Sequence, residues 1–460
     1  MAELLATEEI EHKRVSKLQG LAAFSPDALA SIGYADQEIY LGLVIAGSLG
    51  LAYAFPIALA ISGLLAILAL SYYQIVQKYP SGGGSYEVAR KTLGTVPGLI
   101  AAAALIVNYL LNVAVSLTTG VDAIASAFNQ LWPYRVELSL LLLGAITLLN
   151  LRGMRESGIV MAIPVYLFLF AYLPMLGFGG IRLAISGPLS LPAVAPPPVQ
   201  TLTTALLLHA FSTGCTAMTG IEAISNGVPS FRPPESKNAG QTMIIMALLM
   251  GTLFLGSIGL IQYLAIIAGP QETILSALAR RLLGSGIAYL IIQVSTMILL
   301  TVGANTSFAG LPRLMSVMAG DGFLPKHLTK MNSRSVFANG ILLLAGASAL
   351  LIVVFSGNSH ALVPLFAVGV FLAWTLSQTG MVIHWRREHS KHWRLKAILN
   401  GIGALATGVT FVIVGSFKFL DGAWIAVLLI PLLVLFFLQV RGRGRETSTP
   451  SIKNPTPTPA

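Results

Sequence analysis

Charge is what this chain lacks most. Only 10% of its 460 residues are Asp, Glu, Lys or Arg, against 55% hydrophobic, and its mean hydropathy is +0.79. Soluble domains carry about 25% charged residues. A chain this poor in charge cannot coat itself for water, and it reads as an integral membrane protein. Cysteine is scarcer still: the single Cys215 excludes an internal disulfide and a cysteine-held cluster. The seven histidines contain no H-E-x-x-H. Their one close pair, His389 and His392, has no carboxylate or cysteine set to complete a metal site. No G-x-S-x-G occurs, and Ser81-Gly82-Gly83-Gly84-Ser85 lacks the spacing and lysine of a phosphate-binding loop. Neither an enzyme nor a resident cofactor or metal is expected. The polar stretch 1–20, with Glu8, Glu9, Glu11, Lys13, Arg14 and Lys17, precedes any apolar run, which does not fit a cleaved signal peptide.

Apolar runs of membrane-crossing length are what the chain has in abundance. Spans of roughly 20 apolar residues fall near 25–47, 51–73, 97–127, 137–150, 157–181, 201–230, 240–268, 284–306, 336–356, 361–384, 397–418 and 420–440. The expected fold is an all-α membrane protein of twelve transmembrane helices. With the N-terminus inside, only Arg135, Arg182, Arg280, Arg281 and Lys418 of the 28 Lys and Arg fall outside. That bias puts both termini in the cytoplasm of a multi-pass protein in the cytoplasmic membrane. The net charge of +10 is therefore topology and not a nucleic-acid footprint.

Spans one to five (about 25–181) and six to ten (about 201–384) match in number and length. Five is odd, so the second set is inverted, which predicts a five-plus-five inverted repeat with two extra helices at 397–440. Segment 1–20 reads as a cytoplasmic lead-in to a transporter domain at 21–440, and 441–460 as a disordered cytoplasmic tail. The proline-rich 185–199 reads as an outer loop and 312–332 as a cytoplasmic connector.

Two spans carry glycine, hydroxyls and a carboxylic acid where lipid would favour none. The first and sixth helices are expected to break, at Ser31 and Gly33 and again at Gly214 and Gly220. Backbone that leaves the helical ladder at membrane depth must face protein or a water-filled cavity. Paired breaks of this kind mark a binding site at the midplane. An acid in a span costs at least about 2.5–3.5 kcal/mol to insert, so Asp27 and Glu222 are read as functional, with Asp36 and Glu38 lining the outer vestibule. On the third span Asn108, Asn112 and Ser116 recur every four residues and share one face, with Tyr109 a step aside. Tyr34, Thr219 and Glu222 are expected to meet that face. The set is rich in oxygen, the ligand type that hard cations take.

These residues resemble the amino acid–polyamine–organocation superfamily of permeases. The resemblance rests on Pro80-Ser81-Gly82-Gly83-Gly84-Ser85-Tyr86, on Gly220-Ile221-Glu222-Ala223-Ile224-Ser225-Asn226-Gly227, and on the connector ending Asp321-Gly322-Phe323-Leu324-Pro325. It covers roughly 20–440 and implies the inverted-repeat fold of sodium- and proton-coupled permeases. Ser25-Pro26-Asp27-Ala28-Leu29, Tyr34 and Ser377-Gln378-Thr379-Gly380-Met381 are similar to the KimA-like bacterial potassium importers, which couple potassium to protons. That likeness implies a cation site of Asp27, Tyr34, Tyr109, Ser116, Thr219 and Glu222, with Asn108, Asn112 and Phe366 at positions where the subfamily has aspartate, threonine and tyrosine. Glu222 and Asp27 are the proton-coupling candidates. The subfamily's large cytoplasmic C-terminal domain is not expected in a tail of about twenty residues.

The expectation is a secondary active transporter whose partners are the bilayer and an ion or small-molecule substrate. Two substrates fit: potassium moving with protons, or an amino acid whose carboxylate sits on the N–H groups freed at the breaks. No T-V-G-Y-G filter suggests a channel.

Overall fold

Without water to pair their peptide groups, apolar segments in a bilayer satisfy the backbone internally, as helices. The computed structural model describes residues 14–80, 82, 84–153, 158–189, 195–329 and 337–446. Among them it is all-helical, with one isolated bridge between Val15 and Phe231. In chain order the helices are α1 (Lys17–Phe24), α2 (Pro26–Val44), α3 (Gly47–Leu51), α4 (Ala54–Lys78), α5 (Gly84–Leu93) and α6 (Thr95–Ala127). There follow α7 (Arg135–Leu151), α8 (Gly158–Ser186), α9 (Thr204–Gly214), α10 (Glu222–Asn226), α11 (Glu235–Tyr263) and α12 (Ile274–Leu283). The chain closes with α13 (Ile287–Gly320), α14 (Ala338–Val354), α15 (Ser359–Glu388), α16 (Trp393–Phe417) and α17 (Trp424–Glu446).

Nine helical stretches among the described residues are long and apolar enough to cross a membrane. The protein is multi-pass. Helices differ in how deeply they sit: α6 buries 83% of its most apolar window, whereas the stretches ending in α7 and formed by α17 each bury 22%. So α6 belongs to the centre of the bundle and α7 and α17 to its lipid-facing rim. α6 packs on α13 and α15, and α2 on α13 and α9.

The first predicted break is corrected. α2 runs unbroken through Ser31 and Gly33, and the interruption lies earlier, at Ser25. Pro26 opens α2 and has no N–H to donate back into α1, so the ladder stops there. Ser25 takes the cap position without a side-chain cap bond, and Asp27 stands in the first turn. The sixth helix does break. α9 ends at Gly214, a 3-10 turn covers Cys215–Met218, Thr219 is extended, and Gly220 has φ +83°. Gly214 is thus the last helical residue before the break.

The last helix reaches Glu446, past the expected start of a disordered tail at 441. Residues 447–460 and 1–13 lie outside the described residues, as do Ser81 and Gly83 of the glycine-rich loop. Gly82 and Gly84 lie against Asn226, at the end of the broken sixth helix. Gly84, at φ +50°, leaves no room for a side chain, because a Cβ there would fall 2.3 Å from Asn226 Oδ1.

Candidate functional site

The site is assembled where α2, the broken sixth helix, α6 and α15 converge. At the break Gly220 lies against the start of α2, since a Cβ on it would meet Ala28 N at 2.5 Å and the Asp27 carbonyl carbon at 3.0 Å. Gly303 of α13 is similarly close: its Cβ position is 3.3 Å from Asp27 Cα. Glycine at these contacts lets three backbones meet around Asp27.

The carbonyls freed by the break are met by hydroxyls. Ser31 Oγ reaches Ala217 O at 2.8 Å and its own-helix Ala28 O at 2.7 Å. Thr219 Oγ1 donates to Thr216 O at 2.9 Å, and Ser225 Oγ to Glu222 O at 2.7 Å. Thus Ser31, expected to break its own helix, caps a carbonyl of the other one. Gly33 is roomy by comparison, with only Leu300 side-chain carbons in ordinary contact at 3.7 and 3.9 Å.

The predicted side chains come together. Tyr34 Oη and Thr219 Oγ1 are 2.8 Å apart, joining α2 to the break. Asn108 Nδ2 faces Glu222 Oε1 at 3.4 Å. Asn112 Nδ2 donates to Ser307 Oγ at 3.0 Å, and Ser116 Oγ to Asn112 Oδ1 at 3.2 Å, so two members of the stripe on α6 are joined and Asn108 reaches Glu222 instead. Asp27 lies beside Asn112 and within electrostatic reach of Glu222 and Tyr34. Phe366 of α15 stands edge-on to Tyr34, with ring centroids 6.2 Å apart. Tyr109, half-buried, receives Asn226 Nδ2 at 3.4 Å and marks the side of the site toward the glycine-rich loop.

Asp27, Asn108 and Glu222 are all buried, yet Asp27 Oδ1, Asn108 Oδ1 and Glu222 Oε2 make no hydrogen bond. Buried polar atoms are almost always paired. Three such acceptors stand close together, two of them on carboxyls.

Two participants escaped the sequence reading. Trp374 is fully buried on α15, with its indole beside the Glu222 carboxyl. Tyr72 of α4 is within reach of Glu222 and bonds Ser85 of α5 at 2.8 Å. Trp374 stands eight residues after Phe366, about two turns along the same helix, and that spacing was its available signal. Nothing in the sequence pairs Tyr72 with Ser85. The vestibule reading of Asp36 is also corrected: it is fully buried, beside Ser257 of α11 and Tyr172 of α8. Glu38, one turn along α2 from Tyr34, pairs with His360 at 2.6 Å.

A many-helix membrane bundle around a buried, oxygen-lined break defines the class, a membrane transporter. The chain belongs to the amino acid permease family, whose profile matches residues 28–446. It is 40% identical over 440 residues to the potassium transporter KimA of Bacillus subtilis (strain 168), covering 95% of this chain and 72% of that protein. It is 26% identical over 393 residues to the low-affinity putrescine importer PlaP of Escherichia coli (strain K12), covering 80% and 81%. A solved structure of a mutant manganese transporter from Eremococcus coleocola covers 93% of the chain and 94% of itself at 14% identity, but its TM-score of 0.47 is too low to bear on the fold.

Proposed function

We propose that this transporter carries potassium inward across the cytoplasmic membrane, coupled to protons, with proton-coupled amino acid uptake as the alternative. The observation that supports it is the pair of buried carboxyls, Asp27 and Glu222, each with an unpaired oxygen. Around them stand the oxygens of Tyr34, Asn108, Asn112, Ser116, Tyr109 and Thr219, with Phe366 closing one side. In this reading the cation is the substrate, and Glu222 or Asp27 takes the coupling proton. The similarity to a potassium transporter supports the same assignment.

The reading takes twelve spans, with 25–181 and 201–384 as inverted repeats, both termini cytoplasmic and no nucleic acid or resident cofactor among the partners. It is supported by the two helix interruptions, at Ser25 and at 215–221, whose flanking residues pack together at Asp27 and Gly220. Amino acid uptake is favoured by one feature. Asn108 supplies an amide, not a third carboxylate, so the cavity holds less negative charge and suits a zwitterion better.

Uptake into proteoliposomes decides between them, comparing rubidium as a potassium surrogate with radiolabelled amino acids, with and without an inward proton gradient. Saturable, gradient-driven rubidium entry is expected. Amino acid entry without rubidium would move the site to organic substrates.

A further inference from the structure

A second cluster of titratable groups stands at the opposite end of the bundle from the pairs Lys78–Glu388 and Arg90–Asp321. Glu38 on α2 meets His360 Nδ1 at 2.6 Å, and His360 is the second residue of α15. Further along both helices, α2 and α15 meet again through Tyr34 and Phe366, which stand at the Asp27–Glu222 site. The Glu38–His360 pair thus stands one turn of α2 beyond Tyr34.

The surroundings fix what the pair can do. Ser359 Oγ donates to Asp122 Oδ2 at 2.9 Å, tying the start of α15 to α6. Arg135 Nη1 of α7 lies 3.5 Å from Asp122 Oδ1, its guanidinium 4.8 Å from the Trp132 ring centre. The charged groups facing His360 are thus Glu38 from α2, Asp122 from α6 and Arg135 from α7. With the imidazole neutral, two carboxylates face one cation. With it protonated the charges balance, and the bond between α2 and α15 becomes charge-assisted, the stronger kind. The exposures are unequal: the Glu38 side chain is 7% exposed and that of His360 40%. Solvent at this end can therefore reach the imidazole while its partner stays buried.

We propose that Glu38 and His360 form a proton-binding latch over the cavity, distinct from the Asp27–Glu222 site. Taking a proton from the solvent at this end onto His360 fastens α15 to α2. Separating the two helices, as access to the cavity from this side requires, releases the proton. Because binding and closure are linked, acid on this side favours the closed arrangement, and closing takes up a proton. The latch rests on this geometry, and its role in gating also rests on the transport reading above.

The test has two arms, each run on wild type, His360→Gln and Glu38→Gln. The first is thermal unfolding of the purified protein in lipid between about pH 5 and 8, where imidazole titrates. Wild type should lose melting temperature as pH rises through this range, and both variants should lose that step. The second is rubidium uptake at a constant proton gradient with absolute pH varied. Wild type should show a step in the imidazole range, absent from His360→Gln while uptake itself persists. Retention of the wild-type step by both variants in either arm overturns the latch. If one variant fails to fold, the other decides. A wild type that moves neither rubidium nor amino acids would sink the transport reading, and the unfolding arm would then judge the latch alone.

Discussion

Ser31-Ile32-Gly33 and the stretch from Gly214 to Gly220 look alike as sequence, each placing glycine and a hydroxyl inside an apolar helix, but only the second breaks. The difference lies in what each glycine faces. Gly33 keeps helical geometry and has space beside it, whereas Gly220 holds φ +83° against the backbone of Ala28. An intact helix and a broken one then complement each other, since α2 supplies the hydroxyl of Ser31 that the broken helix needs at Ala217. A glycine in a helix permits a break, and at Gly220 the left-handed backbone uses that freedom where Gly33 and Gly303 stay helical.

The contrast is broken most sharply by alanine at both glycines. Gly220→Ala forces a side chain into a left-handed conformation and into Ala28, at a cost on the order of 3–5 kcal/mol. Gly33→Ala, in an accommodating helix, should be neutral or stabilise by up to about 1 kcal/mol. Thermal unfolding in lipid compares the two, and equal effects would mean that the break does not depend on Gly220.

Glu222→Gln comes next, keeping the shape of the broken helix and removing one charge. It should fold and insert normally and abolish proton-driven uptake in the proteoliposome assay, and normal uptake would remove Glu222 from the mechanism. Ser31→Ala leaves the Ala217 carbonyl buried without its partner, a loss of about 1–3 kcal/mol. It should be less stable than Thr301→Ala, whose hydroxyl bonds only within its own helix, to Met297 O.

The smallest effect is expected at the charged end of the bundle. Burial alone would raise the Asp321 carboxyl, but hydrogen bonds from Arg90 and Tyr86 outweigh it and hold the group below the ordinary carboxylate range. The carboxylate form is thus favoured by folding. Its stabilisation is present above the unfolded value of about 3.9 and is lost as pH falls through the lower folded value. Asp321 is 24% exposed, so Asp321→Asn should cost less than about 1 kcal/mol at neutral pH. Acid unfolding profiles of the two proteins should converge below that window.

Much of this was legible in the sequence, because its signals are local. Hydropathy over about twenty residues marks a helix whatever surrounds it, so helices stand in the predicted stretches. Four-residue spacing puts Asn108, Asn112 and Ser116 on one face without knowledge of any partner, and a carboxyl inside a span announced Asp27 and Glu222. The misplaced break, the burial of Asp36 and the omission of Tyr72 share a cause. Each depends on what another helix presents at a few ångströms, and no local pattern records that.

Composition and periodicity determined that this protein is a helical membrane protein and that Asp27 and Glu222 lie within its spans, since the bilayer imposes helix and penalises charge residue by residue. Only the tertiary structure decided that Gly220 and not Gly33 opens the chain, that Ser31 closes the resulting gap, and that Glu38 meets His360 above the site. Those outcomes arise from approaches between residues more than 180 apart in the chain, as Ser31 and Ala217 are, where steric contact and unpaired carbonyls outweigh any local preference.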